Sequence, residues 1–342
     1  MIRKQREIAS VDQLNQMQRY LGEEAIEEYQ EGLLTRRQMF RQLLRICGSG
    51  AAAAALLAAC GVDTTTPALT SEATRPPTNP PSPSPSATAA APEPTQPTPP
   101  VGAAPLSVPA DDPDITGTEV TFQSDTEVVG YLARPQAEGV YPGVIVIHEN
   151  RGLNDHIRDV ARRVAKAGYV ALAPDLASRA GGTPQLGPDQ VRGYFGNANP
   201  DELVRDLNAA VDFLGQQPGV QAGTHGVVGF CFGGAYTLRL AAANPNIAAA
   251  VCYYGVTPEP ASQMSATNAA ILGQYGGNDE RVNSTIPALE QVMQESGKTF
   301  EKRIYEGSNH AFNNDTGQNY NEAAAVAAWN ETLAWFDTYL KE

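Results

Sequence analysis

Cys231 lies in Gly229-Phe230-Cys231-Phe232-Gly233-Gly234, directly after an apolar run over 224–230 and before a helical pattern that continues to Ala243. A thiol is a nucleophile only as its thiolate. A sharp turn from strand to helix favours that form, because the free N–H groups and the dipole at a helix N-terminus stabilise an anion. Glycines two residues either side of the tip let strand and helix approach closely. The spacing therefore predicts a nucleophile elbow with Cys231 at its tip and the Phe232 N–H as an oxyanion donor. A thiol also needs a base, and His310 lies in Gly307-Ser308-Asn309-His310-Ala311-Phe312 after the last predicted strand. Asp279, in the turn Tyr275-Gly276-Gly277-Asn278-Asp279, is placed to orient it. Thiol, acid and base in that order suit acyl transfer. A free cysteine is more often a small buried apolar residue. That is the reading for Cys252, which lies inside the apolar run Ala250-Val251-Cys252-Tyr253.

The elements that must position these residues follow from periodicity. Residues 119–122 and 127–133 read as an antiparallel pair. Near-continuous apolar strands follow at 143–148, 169–173, 224–230, 247–254, 270–275 and 300–305, separated by helices at 155–167, 200–217, 231–243, 286–296 and 321–340. Strands of this kind alternating with helices predict an α/β domain with a mostly parallel sheet covered on both faces. In such sheets the chemistry lies at the carboxyl ends of the strands, which is where Cys231, Asp279 and His310 fall. Their order along the chain is that of an α/β-hydrolase.

The strand at 143–148 ends in His148-Glu149-Asn150-Arg151-Gly152, which puts a carboxylate at the same sheet edge as Cys231. With the Gly-x-Cys-x-Gly-Gly elbow, this makes the region from about 115 to 340 resemble the dienelactone hydrolase family. The resemblance implies hydrolysis of a small ester or lactone without a cofactor. It implies that Glu149 interacts with the resting thiol and helps to deprotonate it, and that the Asn150 N–H is the second oxyanion donor. A carboxylate beside a thiol would by itself raise the thiol pKa. Family members that act on dienelactone bind its carboxylate through arginines, one of them four residues beyond the catalytic histidine; here that position is Asn314. Arg151 and Arg192 are the remaining candidates for that charge, and Tyr194 and Phe195 could form pocket walls or simply pack. A broader esterase, thioesterase or peptidase fits the same scaffold, and a non-catalytic binding lipoprotein is the reading from another class.

Composition excludes several functions. The net charge is −14, and residues 1–60 hold 8 Lys/Arg against 7 Asp/Glu, so the remainder carries −15. Such a surface repels phosphate backbones, which argues against nucleic acid as a partner. The four cysteines show no zinc or disulfide spacing. His148-Glu149 lacks a second histidine at H-E-x-x-H spacing, so no metal site is expected.

Three segments precede or make up the rest. Residues 1–60 read as a leader: Arg36 and Arg37 before an apolar stretch suit a twin-arginine export signal. Leu57-Ala58-Ala59-Cys60 resembles a lipobox with Cys60 as the lipid anchor, giving a membrane-anchored lipoprotein on the extracytoplasmic face. An uncleaved anchor or an Ala-rich helix packed in a core are the plainer readings. Before the arginines, residues 10–31 read as an acidic, partly amphipathic helix of no evident function. Residues 61–113, rich in Pro, Thr and Ser, should be an extended linker, and residues 114–342 the single catalytic domain.

Overall fold

The computed structural model describes residues 11–62 and 107–341; most of the Pro/Thr/Ser-rich linker lies outside the described residues. Eight strands form one sheet in the order β1-β2-β4-β3-β5-β6-β7-β8. β1 (Ile115–Gln123), β2 (Glu127–Pro135) and β4 (Val170–Pro174) pair antiparallel. β3 (Gly143–Ile147), β4, β5 (His225–Phe230), β6 (Ile247–Tyr253), β7 (Ala270–Gly276) and β8 (Phe300–Tyr305) run parallel. The strands at the centre are buried along their whole length, as a sheet covered on both faces requires.

After α1 (Gln16–Gln30), α2 (Arg36–Cys47) and α3 (Gly50–Ala59), the helices of this domain are α4 (Asp155–Lys166), α5 (Thr183–Leu186), α6 (Pro188–Asn197), α7 (Pro200–Gly215), α8 (Phe232–Ala243), α9 (Glu280–Asn283), α10 (Ile286–Glu295) and α11 (Glu322–Leu340). In α4 the residues Ile157, Val160, Ala161 and Val164 are buried at helical spacing, and Asn154 caps the helix by accepting the Ile157 N–H; this is the apolar stripe that seats a helix on a sheet. The architecture is the expected α/β-hydrolase fold, with most boundaries within two residues of those read from periodicity. The largest omissions are the short helices α5, α6 and α9 between strands and their longer neighbours.

The leader is folded against this domain. It forms α1 (Gln16–Gln30), α2 (Arg36–Cys47) and α3 (Gly50–Ala59), with capping boxes at Asn15/Gln18 and Thr35/Gln38. These caps satisfy amide groups that each helix start leaves open. Leu21, Ala25, Ile26, Leu43, Ile46, Leu56 and Leu57 are buried and belong to the same apolar cluster as the sheet. The acidic amphipathic helix read at 10–31 is thus present as α1. The Ala-rich α3 is packed in the core, which is the plainer of the readings for that stretch. Among the described residues no single helix is long and apolar enough to cross a membrane; α2 and α3 together reach that length but bend by 115°.

Candidate active site

Cys231 occupies the turn between β5 and α8 with φ 55° and ψ −117°, a left-handed conformation that a non-glycine residue adopts only under constraint. The constraint is close packing at Gly233, where an added methyl would come within 3.0 Å of the Ile147 and His148 carbonyl oxygens. The first turn of α8 therefore rests directly on the end of β3, and the neighbouring loop brings Glu149 and Asn150 to Cys231. Phe232, beside Cys231, is fully buried and stacks on Phe195 at 4.4 Å. Phe195 is thus packing for the elbow. His148 stacks on Phe232 and accepts the Leu176 N–H at 3.2 Å, a structural role.

His310 Nδ1 is 2.6 Å from Asp279 Oδ2, and both side chains are buried. Burial alone would lower the imidazole pKa; the Asp279 carboxylate outweighs it and holds His310 well above the ordinary imidazole range. Burial likewise works against the Asp279 charge, but the imidazole holds its carboxyl below the usual range. With Nδ1 engaged, Nε2 is the free ring nitrogen, buried and without a hydrogen bond among the described residues.

Glu149 is within the site, but its hydrogen bonds go elsewhere than the thiol. Oε2 accepts from Asn314 Nδ2 at 2.7 Å, and Oε1 from the Tyr254 hydroxyl at 3.5 Å. Asn314, at the position where the resemblance led one to look for an arginine, holds the glutamate.

The leader supplies the thiol's direct partners. The Tyr20 hydroxyl donates to Cys231 Sγ at 3.3 Å, and Sγ lies 3.7 and 3.8 Å from the two Glu24 carboxylate oxygens. Glu24 also accepts from the Asn150 side chain at 2.7 Å. Burial, followed by the Glu24 charge, pushes the Cys231 thiol up. One turn further along α1, Glu28 receives both terminal nitrogens of Arg192 at 2.6 Å and lies 3.7 Å from Arg151. Gln42 of α2 completes the cage around Arg192. Neither Tyr20, Glu24 nor Glu28 was recognised in the sequence as a site residue. The signal available was their spacing of four, which places all three in one row on a helix.

Glu24, Cys231 and His310 have ligand atoms within 4.8 Å of one another, the one such group of His, Cys and acidic residues among those described. A soft cation could bind there only by occupying the thiol and the imidazole themselves.

The sheet order, the elbow and the His310–Asp279 pair define an α/β-hydrolase. The dienelactone hydrolase family model matches residues 128–340, and the chain belongs to that family of hydrolases. An Escherichia coli K12 protein named "Putative carboxymethylenebutenolidase" is 32% identical over 243 residues, 67% of this chain and 89% of that protein. A Bradyrhizobium protein named "Probable 2-oxo-3-(5-oxofuran-2-ylidene)propanoate lactonase" is 35% identical over 228 residues, 62% of this chain and 90% of its own. Among solved structures, the "Putative Dienelactone Hydrolase" of Klebsiella pneumoniae is similar with TM-score 0.61 and 32% identity, covering 66% of this chain and 99% of the other.

Proposed function

We propose that this chain hydrolyses small esters or lactones through a thioester on Cys231. The observation that carries the reading is the His310–Asp279 bond at 2.6 Å, which leaves Nε2 unpaired in the same cluster as Sγ. The Asp279 carboxylate makes His310 a strong base, and in its neutral form Nε2 takes the thiol proton while sulfur attacks the carbonyl carbon to form the C–S bond. The backbone N–H groups of Phe232 and Asn150 hold the oxyanion. Collapse breaks the acyl C–O bond, and His310 returns its proton to the leaving oxygen. Water then attacks the thioester and gives a proton to His310; the C–S bond breaks and the thiol is restored. Glu149, held by Asn314, lies near enough for its charge to act on the thiol.

The substrate class is a small lactone, as in the lactonase name one relative carries, or an ester; Asn314 stands where the resemblance implies a carboxylate-binding arginine. We place the protein outside the cytoplasm, exported through Arg36 and Arg37 and anchored at Cys60. Supporting this, Arg37 is exposed at the start of α2 and Cys60 is half-exposed at the end of α3.

The test is hydrolysis of p-nitrophenyl esters and unsaturated lactones by the full chain, intact and after a cut in 63–106, with Cys231→Ala beside each. Loss of at least about a thousandfold in the cut chain, with an acyl adduct on Cys231 by mass spectrometry, is the expected result. Undiminished turnover by Cys231→Ala would exclude the thioester route. The ratio of lactone to ester turnover identifies the preferred substrate class.

A further inference from the structure

We propose that helix α1 is an intramolecular plug, which occupies the acyl-binding site of the uncleaved chain and must withdraw before substrate can reach Cys231. The inference rests on Cys231 being the nucleophile, and it concerns access to that site.

Four observations carry it. Cys231 is only 2% exposed, and the groups that close it off include Tyr20 and Glu24, both from α1. The cavity left at Cys231 is about 70 Å³, whereas sites for small molecules have about 300–1,000 Å³. A second cavity of about 480 Å³ lies beside Glu28, lined by Leu33, Leu34, Arg151 and Arg192 among others. Glu28 borders both cavities together with Leu33, Arg151, Gly317 and Gln318, so the end of α1 forms part of the wall between the larger space and the thiol. Withdrawing the helix would remove Glu24 and Glu28 from these walls and widen the space at Cys231.

The contacts of α1 are also matched in charge along its length. Arg19 pairs with Glu259 at 2.6 Å, Glu27 with Arg281 at 3.2 Å, and Glu28 with Arg192. Arg281 lies 4.5 Å over the Tyr20 ring, a favourable cation–π geometry. At the ends of these rows, Gln16 accepts from Arg239 at 2.6 Å and Asn15 donates to the Gly196 carbonyl at 3.1 Å. Such complementarity fixes one register of the helix in the cleft. The occupant is therefore a specific segment of this chain, placing one carboxylate at the nucleophile and a second on a buried guanidinium one turn away. Glu24 and burial together also disfavour the thiolate, so the plug lowers reactivity as well as access. A cut between Ala59 and Cys60, the position the lipobox reading assigns, would separate all three leader helices from the domain and tie activation to processing.

The experiment uses the full chain with a specific protease site inserted in 63–106, assayed intact, and again after cutting and removal of the leader fragment by size exclusion. The full-length Tyr20→Ala/Glu24→Ala/Glu28→Ala chain is assayed beside them. Two readouts are taken: alkylation of Cys231 by iodoacetamide, followed by mass spectrometry of its peptide, and ester hydrolysis. The plug predicts that the freed and the triply substituted chains alkylate at least about tenfold faster than the intact one. It predicts too that a peptide of residues 11–31 slows the freed chain again. Equal alkylation rates in all three forms would overturn it and make α1 a fixed wall of an open site. If alkylation rises while no form hydrolyses any ester, the plug stands and the proposed hydrolysis fails.

Discussion

His310 and Asp279 are oppositely shifted partners, and the signs of their shifts fix how the pair responds to pH. Asp279 is lowered, so its share of stability is present above the ordinary carboxylate pKa and is lost as the pH falls through its lowered folded value. His310 is raised, so its share is full below the ordinary imidazole value of about 6.5 and is lost as the pH rises through its raised folded value. Asp279→Asn should therefore destabilise the protein by about 3 kcal/mol between those limits. The difference in melting curves from wild type should shrink towards both acid and alkaline extremes. A difference that stays constant with pH would mean that the pair is uncharged. The positions of Cys231, Asp279 and His310 were legible in the sequence because each follows a strand at the carboxyl edge of the sheet. The partner of Glu149 was not, since Asn314 lies 165 residues from it and only the folded loop after β8 brings the two together.

Among the elements, the junction of β5 and α8 holds Cys231 by contact with β3. Gly233→Ala places a methyl against the Ile147 and His148 carbonyls, neither of which can move without shifting the strand. The expected cost is about 1–3 kcal/mol, with slower hydrolysis as Cys231 shifts with the turn; both are read from denaturant midpoints and turnover. Wild-type stability in this variant would show that α8 rides free of the sheet. Strand and helix positions were predictable here because buried parallel strands are almost wholly apolar and their helices carry a single stripe. The helix α6, by contrast, contains Gly193 and Gly196 beneath the backbone and Cβ of Arg45 and Ile46. Its glycines weaken any helical signal and make sense only once α2 is seen lying across them.

At the scale of the whole molecule the sequence reads as an address followed by an enzyme, yet the fold joins the two. Export signals and core helices share the same Ala/Leu composition, so periodicity alone could not separate them. The −15 of the sequence beyond residue 60 likewise concealed the arginines that receive α1, Arg192 buried among them. Glu28 is lowered because Arg192 outweighs the cost of burial. Its contribution is thus present above the ordinary carboxylate pKa and lost as the pH falls through its lowered value. Glu28→Gln leaves the Arg192 guanidinium buried with Gln42 and, at 4.0 Å, Glu24 as its remaining partners among the described residues, and should cost about 3 kcal/mol at neutral pH. The corresponding drop in melting temperature should narrow towards acid, and a drop unchanged by pH would argue against ionic docking.

The 63–106 segment joins α3 to the catalytic domain within a single chain, and that covalent connection has a kinetic consequence. A tethered helix meets its cleft at an effective concentration set by the tether, whatever the amount of protein in solution. Closure is then a first-order equilibrium indifferent to dilution. Once the tether is cut, the same contacts become a bimolecular encounter, and dilution alone suffices to open the site.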